Sequence, residues 1–227
     1  MEWDKEADIV VVGCGAGGMV ASLAAKDAGA SAVSVINPYF MKVSDAEVEG
    51  YYAAVAESVK IPVLMYNIPK STGTNLSPEV VARVAEIDNV KGVKDSSGNM
   101  DNLAAYVEAA KGKDVDVLVG SDGKISAAHA LGASGAIAGT ANLITDVVVS
   151  LWRALEAGDA EVAASFQADV EPIRDVLHMG STPQTLKRAL ELAGVPVGPA
   201  RRPVAETTPE VDDKVRAMLD HYGIAHE

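Results

Sequence analysis

The stretch NVKGVKDSSG at residues 89–98 decides the fold class of this chain. It contains a short apolar strand, Val90 to Val93, followed at once by a turn of charged and small residues, and helical periodicity begins at Asn99. The stretch IPVLMYNIP at residues 61–69 is organised in the same way. A strand, a polar turn and a helix in repeated order predict an α/β protein with a parallel sheet and right-handed crossovers.

This unit recurs through the first 140 residues and predicts the domain organisation. Strands are predicted at residues 8–12, 32–36, 62–66, 90–93, 115–119 and 135–138. Helices are predicted between them at residues 17–28, 45–58, 77–87, 99–110 and 124–131, and after the last strand at residues 142–156, 159–178, 183–193 and 208–222. Six strands predict a partial TIM-barrel-like sheet, because a closed barrel of this kind has about eight. We therefore expect a first βα unit at residues 1–29, a partial barrel at 30–158 and C-terminal helices at 159–227.

Ser44 and Glu47 are the clearest local signal for the start of a helix. A serine followed three residues later by a glutamate is the pattern of a capping box, in which each side chain accepts a hydrogen bond from the backbone of the other. This pattern predicts a helix that begins at Asp45.

Composition excludes several classes of protein. Apolar residues make up 48% of the chain and charged residues 22%, and 32 acidic against 19 basic residues leave a net charge of −13. This charge disfavours nucleic acids and anionic membranes as partners, and no apolar run is long enough to cross a bilayer. The single cysteine, Cys14, excludes an internal disulfide framework, and no signal-peptide pattern opens the chain, so we expect a cytoplasmic protein. No metal site is predicted, because the histidines are scattered: His129, His178, His221 and His226.

Lys94 and Tyr66 end two neighbouring predicted strands. The reacting groups of parallel barrels lie at the carboxyl ends of the strands. Partial burial there disfavours the charged ammonium, and the neutral amine is the form that attacks a ketone. A tyrosine on the adjacent strand can carry the proton that this chemistry moves. The spacing alone leaves open a surface lysine beside a packing tyrosine.

Six short segments carry a resemblance to a known family. They are residues 37–40 (NPYF), 66–69 (YNIP), 92–95 (GVKD), 120–122 (GSD), 135–137 (GAI) and 180–183 (GSTP). In their order and spacing, residues 30 to about 205 resemble units four to eight of the class I aldolase barrels of the dihydrodipicolinate synthase and N-acetylneuraminate lyase superfamily. The resemblance implies that Lys94 forms an imine, or Schiff base, with pyruvate or another 2-oxo acid and that Tyr66 relays protons. It also implies that Thr72, Ser121 and Ile137 contact the substrate and that no cofactor is required.

Three departures from the family pattern bear on the substrate. Ser71 stands where dihydrodipicolinate synthases carry an arginine for the carboxylate of the second substrate, and Phe40 stands where they carry a relay tyrosine. The family's Gly-Thr-Thr-Gly-Glu type loop, which holds the pyruvate carboxylate, has no counterpart in the chain. The first two departures favour a lyase of 2-keto-3-deoxy sugar acids over an enzyme of lysine biosynthesis.

The start of the chain predicts a different kind of site. Gly13, Gly15 and Gly18 follow the apolar strand at residues 8–12 with the spacing G-x-G-x-x-G, which lets the backbone approach a pyrophosphate at a helix N-terminus. The segment resembles the FAD-binding fingerprint of flavoprotein dehydrogenases, which would make FAD a cofactor. The next predicted strand ends in VINP at residues 35–38, without the acidic residue that binds the ribose, so a packing turn is the alternative.

The change of resemblance near residue 30 leaves three hypotheses for the whole chain. The first is a Schiff-base lyase acting on a 2-oxo acid. The second is a recombined or engineered chimera without physiological activity, in which a Rossmann-type unit replaces the first barrel units. The third is a flavin- or dinucleotide-binding module. An open six-stranded sheet exposes its edges, so we expect the chain to self-associate.

Overall fold

The computed structural model describes residues 29–227, which divide into two compact units. One unit ends at Ile137 and the other comprises Ala138–Glu227. The strands of the first unit are β1 (Val33–Ile36), β2 (Val63–Asn67), β3 (Val90–Asp95), β4 (Asp116–Val119) and β5 (Gly135–Ala136). Its helices are α1 (Asp45–Ser58), α2 (Pro69–Thr72), α3 (Pro78–Val84), α4 (Met100–Ala110) and α5 (Ile125–Ala130), with a 3-10 turn at Asp122–Lys124. The second unit has α6 (Thr145–Ala157), α7 (Ala160–Ala168), α8 (Glu171–Leu177), α9 (Thr182–Leu192) and α10 (Pro209–His221), with a 3-10 turn at Thr140–Asn142. The domain boundaries predicted near residues 29 and 158 stay predictions.

The sheet is parallel, and its five strands lie side by side in chain order from β1 to β5. This order is typical of βα barrels, in which each crossover helix returns the chain beside the strand it left. Five of the six predicted strands are confirmed, although β5 covers only the first half of the predicted residues 135–138. The sixth, at residues 8–12, lies outside the described residues, as does the Rossmann-type unit that it was predicted to open.

Alternation along β2 and β3 separates two faces of the sheet. On β2 the odd-numbered residues are buried and the even-numbered residues are half-buried. Tyr66 pairs in register with Lys94, and both are half-buried. Asn67 pairs with Asp95, and both are buried. Because successive side chains of a strand point to opposite faces, these two pairs lie back to back across the sheet.

Side-chain caps mark where α1, α3 and α4 begin. The Glu47 carboxylate accepts from Ser44 N at 2.7 Å, and Ser44 Oγ accepts from Glu47 N at 3.4 Å, which confirms the capping box and the start of α1. Ser77 caps α3 and Asn99 caps α4, each through a side-chain oxygen that accepts from the helix backbone. Each cap satisfies a backbone N–H that has no partner inside the helix.

The short helix α2 replaces the polar turn predicted after β2. Pro69 occupies its first turn, where a missing N–H costs no hydrogen bond, and Gly73 ends it with a φ of 73°. The sequence pattern missed this helix because four residues are too few to show an apolar period. As a result, Thr72 lies on a helical turn that follows Tyr66 closely in the sequence.

The single helix predicted over residues 159–178 is wrong, because the structure has two helices there. Pro172 lies in the first turn of α8, and a proline inside a continuous helix would lack an N–H and clash with the carbonyl four residues earlier. The Tyr222 hydroxyl bridges the break, donating to Asp169 O at 2.6 Å and accepting from Ile173 N at 3.2 Å. Burial raises the pKa of Tyr222. Over residues 29–227, no helix combines the length and the apolar character that crossing a membrane requires.

Candidate active site

Lys94 and Tyr66 lie side by side at the carboxyl end of the sheet. Lys94 Nζ lies 4.1 Å from the centroid of the Tyr66 ring, over its face, an arrangement that is favourable for a cation. Other lysines of the first unit, such as Lys91 and Lys113, are paired with carboxylates. Within residues 29–227 no ion pair engages Lys94. Its amine is therefore not held by a carboxylate of the described chain.

Ser96 and Gly120 complete the immediate surroundings of this pair. Ser96 Oγ donates a long hydrogen bond of 3.5 Å to the Tyr66 hydroxyl. Gly120 follows β4 and donates its N–H to Asp95 O at 2.8 Å. A Cβ atom at Gly120 would overlap Ser96 Oγ and lie 2.8 Å from Lys94 Cε. Only glycine at this position leaves both side chains where they are.

A buried polar pair, Asn67 and Asp95, lies directly behind the two candidate catalytic residues, and sequence reasoning missed it. Asn67 is 0% exposed and Asp95 is 2% exposed, and Asn67 Nδ2 donates to Asp95 Oδ1 at 2.8 Å. The only signal in the sequence was position, because each residue directly follows a candidate catalytic residue on its strand and therefore points to the opposite face. A polar residue at a core-facing position is almost always hydrogen-bonded.

Thr72, Ser121 and Ile137, the predicted substrate contacts, each follow a strand of the sheet at its carboxyl end. The Thr72 hydroxyl hydrogen-bonds to Ile68 O at 3.2 Å and to Thr74 O at 2.9 Å, and the side chain is buried. Ser121 is half-buried directly after Gly120, and Ile137 is exposed. Their contacts with a substrate stay predictions.

The loop that follows the carboxyl end of β1 exposes three large apolar side chains. Tyr39, Phe40 and Met41 are 52%, 96% and 68% exposed. Phe40 also has a φ of 76°, in the left-handed region that bulky residues rarely adopt. Adjacent exposed apolar side chains are typical of contact surfaces, which agrees with the expected self-association, itself still a prediction.

The described residues form no metal site, and the residues predicted to bind a cofactor lie outside them. Between residues 29 and 227, no three His, Cys, Asp or Glu side chains converge so that they could hold a metal ion. Gly13, Gly15 and Gly18, for which FAD was predicted, lie outside the described residues. The expectation that the reaction requires no cofactor stays a prediction.

Comparison with known proteins identifies the family. The model of the dihydrodipicolinate synthetase family matches residues 9–222. This chain belongs to that family. A 4-hydroxy-tetrahydrodipicolinate synthase from Methanococcoides burtonii is 33% identical over 199 residues, which cover 88% of this chain and 68% of the relative. Resemblance to the superfamily, predicted from the six sequence segments, is thereby confirmed.

Solved structures agree with the barrel-like sheet. The dihydrodipicolinate synthase from Aquifex aeolicus has a TM-score of 0.88 at 29% identity, covering 95% of this chain and 74% of that one. YagE from E. coli, a prophage protein of the dihydrodipicolinic acid synthase family solved in complex with pyruvate, has a TM-score of 0.86 at 30% identity, with the same coverage. The TIM-barrel lineage of the fold is therefore shown.

The family match also bears on the hypotheses about the start of the chain. It begins at residue 9 and so includes the glycine-rich segment. None of the matches reported above supports a flavoprotein fingerprint, FAD as a cofactor or a chimera.

Proposed function

We propose that this protein is a Schiff-base-forming class I aldolase, with Lys94 as the imine-forming residue and Tyr66 as the proton carrier. Its donor substrate is pyruvate or another 2-oxo acid. The observation that carries the proposal is the placement of Lys94 Nζ 4.1 Å from the centre of the Tyr66 ring on register-paired strand ends. Membership of the dihydrodipicolinate synthetase family and the pyruvate complex of the related YagE support it.

Four steps describe the reaction in the direction of synthesis. The neutral amine of Lys94 adds to the keto carbon of the 2-oxo acid. The carbinolamine takes a proton from the Tyr66 phenol and loses its hydroxyl as water, which leaves a protonated imine and a Tyr66 phenolate. The phenolate takes a proton from the adjacent carbon, which converts the protonated imine to an enamine, and the phenol returns that proton to the aldehyde oxygen as the enamine carbon adds to the carbonyl. Water then hydrolyses the new imine, which releases the product and restores the amine.

Tyr66 needs a second hydroxyl to exchange the proton that it gives and recovers. Ser96 Oγ is such a group, because it lies 3.5 Å from the Tyr66 hydroxyl and a small side-chain movement would shorten this hydrogen bond. Because Gly120 has no side chain, it leaves room for Ser96 Oγ and Lys94 Cε. These two residues support the proposed chemistry without contacting a carbonyl themselves.

Borohydride trapping tests the imine directly. The protein is incubated with pyruvate, reduced with sodium borohydride, digested with trypsin and analysed by mass spectrometry. We expect one reduced pyruvyl group on Lys94, visible as a peptide in which trypsin no longer cleaves after that residue. Lys91, on the same strand and paired with Asp114 at 2.7 Å, is the internal control and stays unmodified. A protein with no adduct, or with equal adducts on both lysines, would contradict the proposal.

For the acceptor, we propose a sugar-type aldehyde, so that the product is a 2-keto-3-deoxy sugar acid. Ser71, exposed on α2, carries no guanidinium for a carboxylate on the acceptor, and Phe40 carries no relay hydroxyl. The named relatives are 4-hydroxy-tetrahydrodipicolinate synthases, so aspartate semialdehyde is the competing acceptor.

Initial rates with each aldehyde separate the two acceptors. We expect wild-type protein to consume pyruvate faster with glyceraldehyde than with aspartate semialdehyde. Ser71→Arg should raise the rate with aspartate semialdehyde, whereas Lys70→Arg, one residue earlier on α2, keeps the charge and should change neither rate. A wild-type preference for aspartate semialdehyde would overturn the sugar-acid proposal and leave the imine proposal standing.

A further inference from the structure

The Asn67–Asp95 pair has a placement that packing alone does not require. The two residues are register partners at the last position of β2 and β3, one step beyond Tyr66 and Lys94. The hydrogen bond of 2.8 Å between them joins side chains, in addition to the backbone ladder of the sheet. Two neighbouring strand ends are therefore linked twice at the point where the reactive side chains emerge.

The Asp95 carboxylate is buried and held by neutral donors. Besides Asn67, it accepts from Ser97 N at 3.1 Å and from Ser97 Oγ at 2.7 Å. In the described part of the chain no lysine, arginine or histidine is ion-paired with it. A buried charge is costly unless it is hydrogen-bonded, so this carboxylate fixes the turn after β3 in one conformation.

Asn67 extends the same network into the segment after β2. Its Oδ1 accepts from Leu76 N at 3.0 Å, and its Nδ2 also donates to Asn75 Oδ1 at 2.8 Å. The Tyr106 hydroxyl, on α4, donates to Leu76 O at 2.6 Å, and burial raises the pKa of Tyr106, which keeps that donor protonated. Residue 76 is thus held at both its N–H and its carbonyl, which anchors the far end of the segment that carries α2.

We propose that Asn67 and Asp95 are positioning residues for the reaction, which set the relative placement of Lys94, Tyr66 and the segment from Pro69 to Leu76. This inference rests on the proposed function. Neither side chain reaches the substrate, because both point to the buried face of the sheet. They act through the backbone, since a shift of either strand end moves an amine and a phenol that must meet the same carbonyl. A misplacement of about 1 Å is enough to lower a rate on the order of 100-fold.

The chain offers a matched control at the opposite end of the same strand. Asn89 precedes β3, and its Nδ2 donates to Ala56 O and to Val59 O, both at 2.8 Å. Asn89→Ala removes two side-chain hydrogen bonds at the amino end of the sheet, whereas Asn67→Ala removes three at the carboxyl end. A purely structural role predicts that both variants lose stability and keep kcat.

The experiment compares Asn67→Ala, Asp95→Ala, Asp95→Asn and Asn89→Ala with wild-type protein. Thermal midpoint, kcat, KM for pyruvate and the extent of borohydride trapping at Lys94 are measured for each. We expect Asn67→Ala and Asp95→Ala to lower kcat about 10- to 100-fold with little change in KM. Asn89→Ala should lower the thermal midpoint and keep kcat within about threefold. Asp95→Asn can still accept from Asn67 and donate to Ser97 Oγ, so it should restore most of the kcat that Asp95→Ala loses.

Each outcome decides between the proposals. If wild-type protein is trapped on Lys94 while Asn67→Ala and Asp95→Ala match Asn89→Ala in kcat and KM, the positioning role is overturned and the proposed function stands. If Asp95→Ala does not fold, Asn67→Ala against Asn89→Ala decides alone. Wild-type protein without an adduct overturns the proposed function and the positioning role with it.

Discussion

At the carboxyl ends of β2 and β3, the two faces of the sheet carry polar side chains in different environments. On one face Tyr66 and Lys94 are half-buried, and the amine has no carboxylate partner in the described chain. On the other face Asn67 and Asp95 are buried, and their polar atoms are hydrogen-bonded to the turns that follow the strands. On each strand, the proposed catalytic side chain is followed directly by a side chain that is buried and hydrogen-bonded.

The contrast indicates how a strand end could hold the proposed nucleophile without pairing it with a carboxylate. Lys91, on the same strand, is ion-paired with Asp114 at 2.7 Å, whereas at the end of the strand the carboxylate of Asp95 belongs to the residue after Lys94 and is bound by neutral donors. Four substitutions test this contrast, and they follow in order of decreasing expected effect.

Replacing the reactive amine should have the largest effect. Lys94→Met keeps most of the side-chain volume but removes the nucleophile, so we expect the aldolase rate to fall by at least about 1000-fold and borohydride trapping to vanish. Lys91→Met on the same strand is the control and should retain both. Trapping that persists in Lys94→Met would assign the imine to a different lysine.

Removing only the phenolic hydroxyl should affect proton movement more than binding. Tyr66→Phe keeps the ring beneath Lys94 Nζ and loses the group that protonates the carbinolamine. We expect kcat to fall by about 100-fold or more, as is usual for loss of a general acid, with KM for pyruvate nearly unchanged. Tyr51→Phe, on α1, is the control and should leave kcat within about twofold. An unchanged kcat in Tyr66→Phe would exclude Tyr66 as the proton carrier.

Filling the space at Gly120 should chiefly disturb the side chains of Ser96 and Lys94. In Gly120→Ala the new methyl group overlaps Ser96 Oγ and lies 2.8 Å from Lys94 Cε, which are side-chain atoms that can move aside, and it also lies 3.2 Å from the backbone oxygen of Asp95. We therefore expect a 10- to 100-fold fall in kcat but a loss of only about 1 kcal/mol in the free energy of unfolding. Gly50→Ala, in α1 with no atom near the new methyl group, should instead raise stability by up to about 1 kcal/mol and leave kcat unchanged. Native kcat in Gly120→Ala would mean that the Lys94 position is not critical.

A charged pair within the second unit should affect stability alone. Arg188 donates from Nε and Nη2 to Asp212 Oδ2 at 2.9 and 2.7 Å, and this bond lowers the pKa of Asp212. A lowered pKa contributes stability at neutral pH that is lost as pH falls below about 4, the range of an unfolded aspartate. We expect Arg188→Met to lower the free energy of unfolding by about 1 kcal/mol at pH 7, with a smaller deficit at pH 3, and to leave trapping at Lys94 intact.

Arg216 provides the control for that measurement. It pairs with Asp213 at 3.3 Å on the surface of α10, and the Asp213 side chain is largely exposed. Arg216→Met should therefore change stability by less than about 0.5 kcal/mol. Equal losses in both arginine variants, or a deficit that does not shrink in acid, would exclude the Asp212 pair as the source.

The amino-acid sequence was enough to predict the parallel α/β class, the five described strands, the capping box at Ser44 and the adjacency of Tyr66 and Lys94. These follow from local rules, since period, caps and the alternation of strands and helices need no knowledge of distant contacts. The same local rules do not choose between two structures that share one pattern. The glycine spacing at the start suits a dinucleotide site and a packing turn alike, and an apolar period across Pro172 suits one helix or two.

The residues that surround Lys94 and Tyr66 could be identified only from the folded structure. The hydrogen bonds from Asn67 to Asp95, Leu76 and Asn75 join segments up to 28 residues apart, and the fit of Gly120 against Lys94 joins β4 to β3. Such contacts depend on which strands become neighbours and in what register. Burial then determines which polar atoms lose water and must find a partner, and that is a property of the folded chain rather than of any one segment.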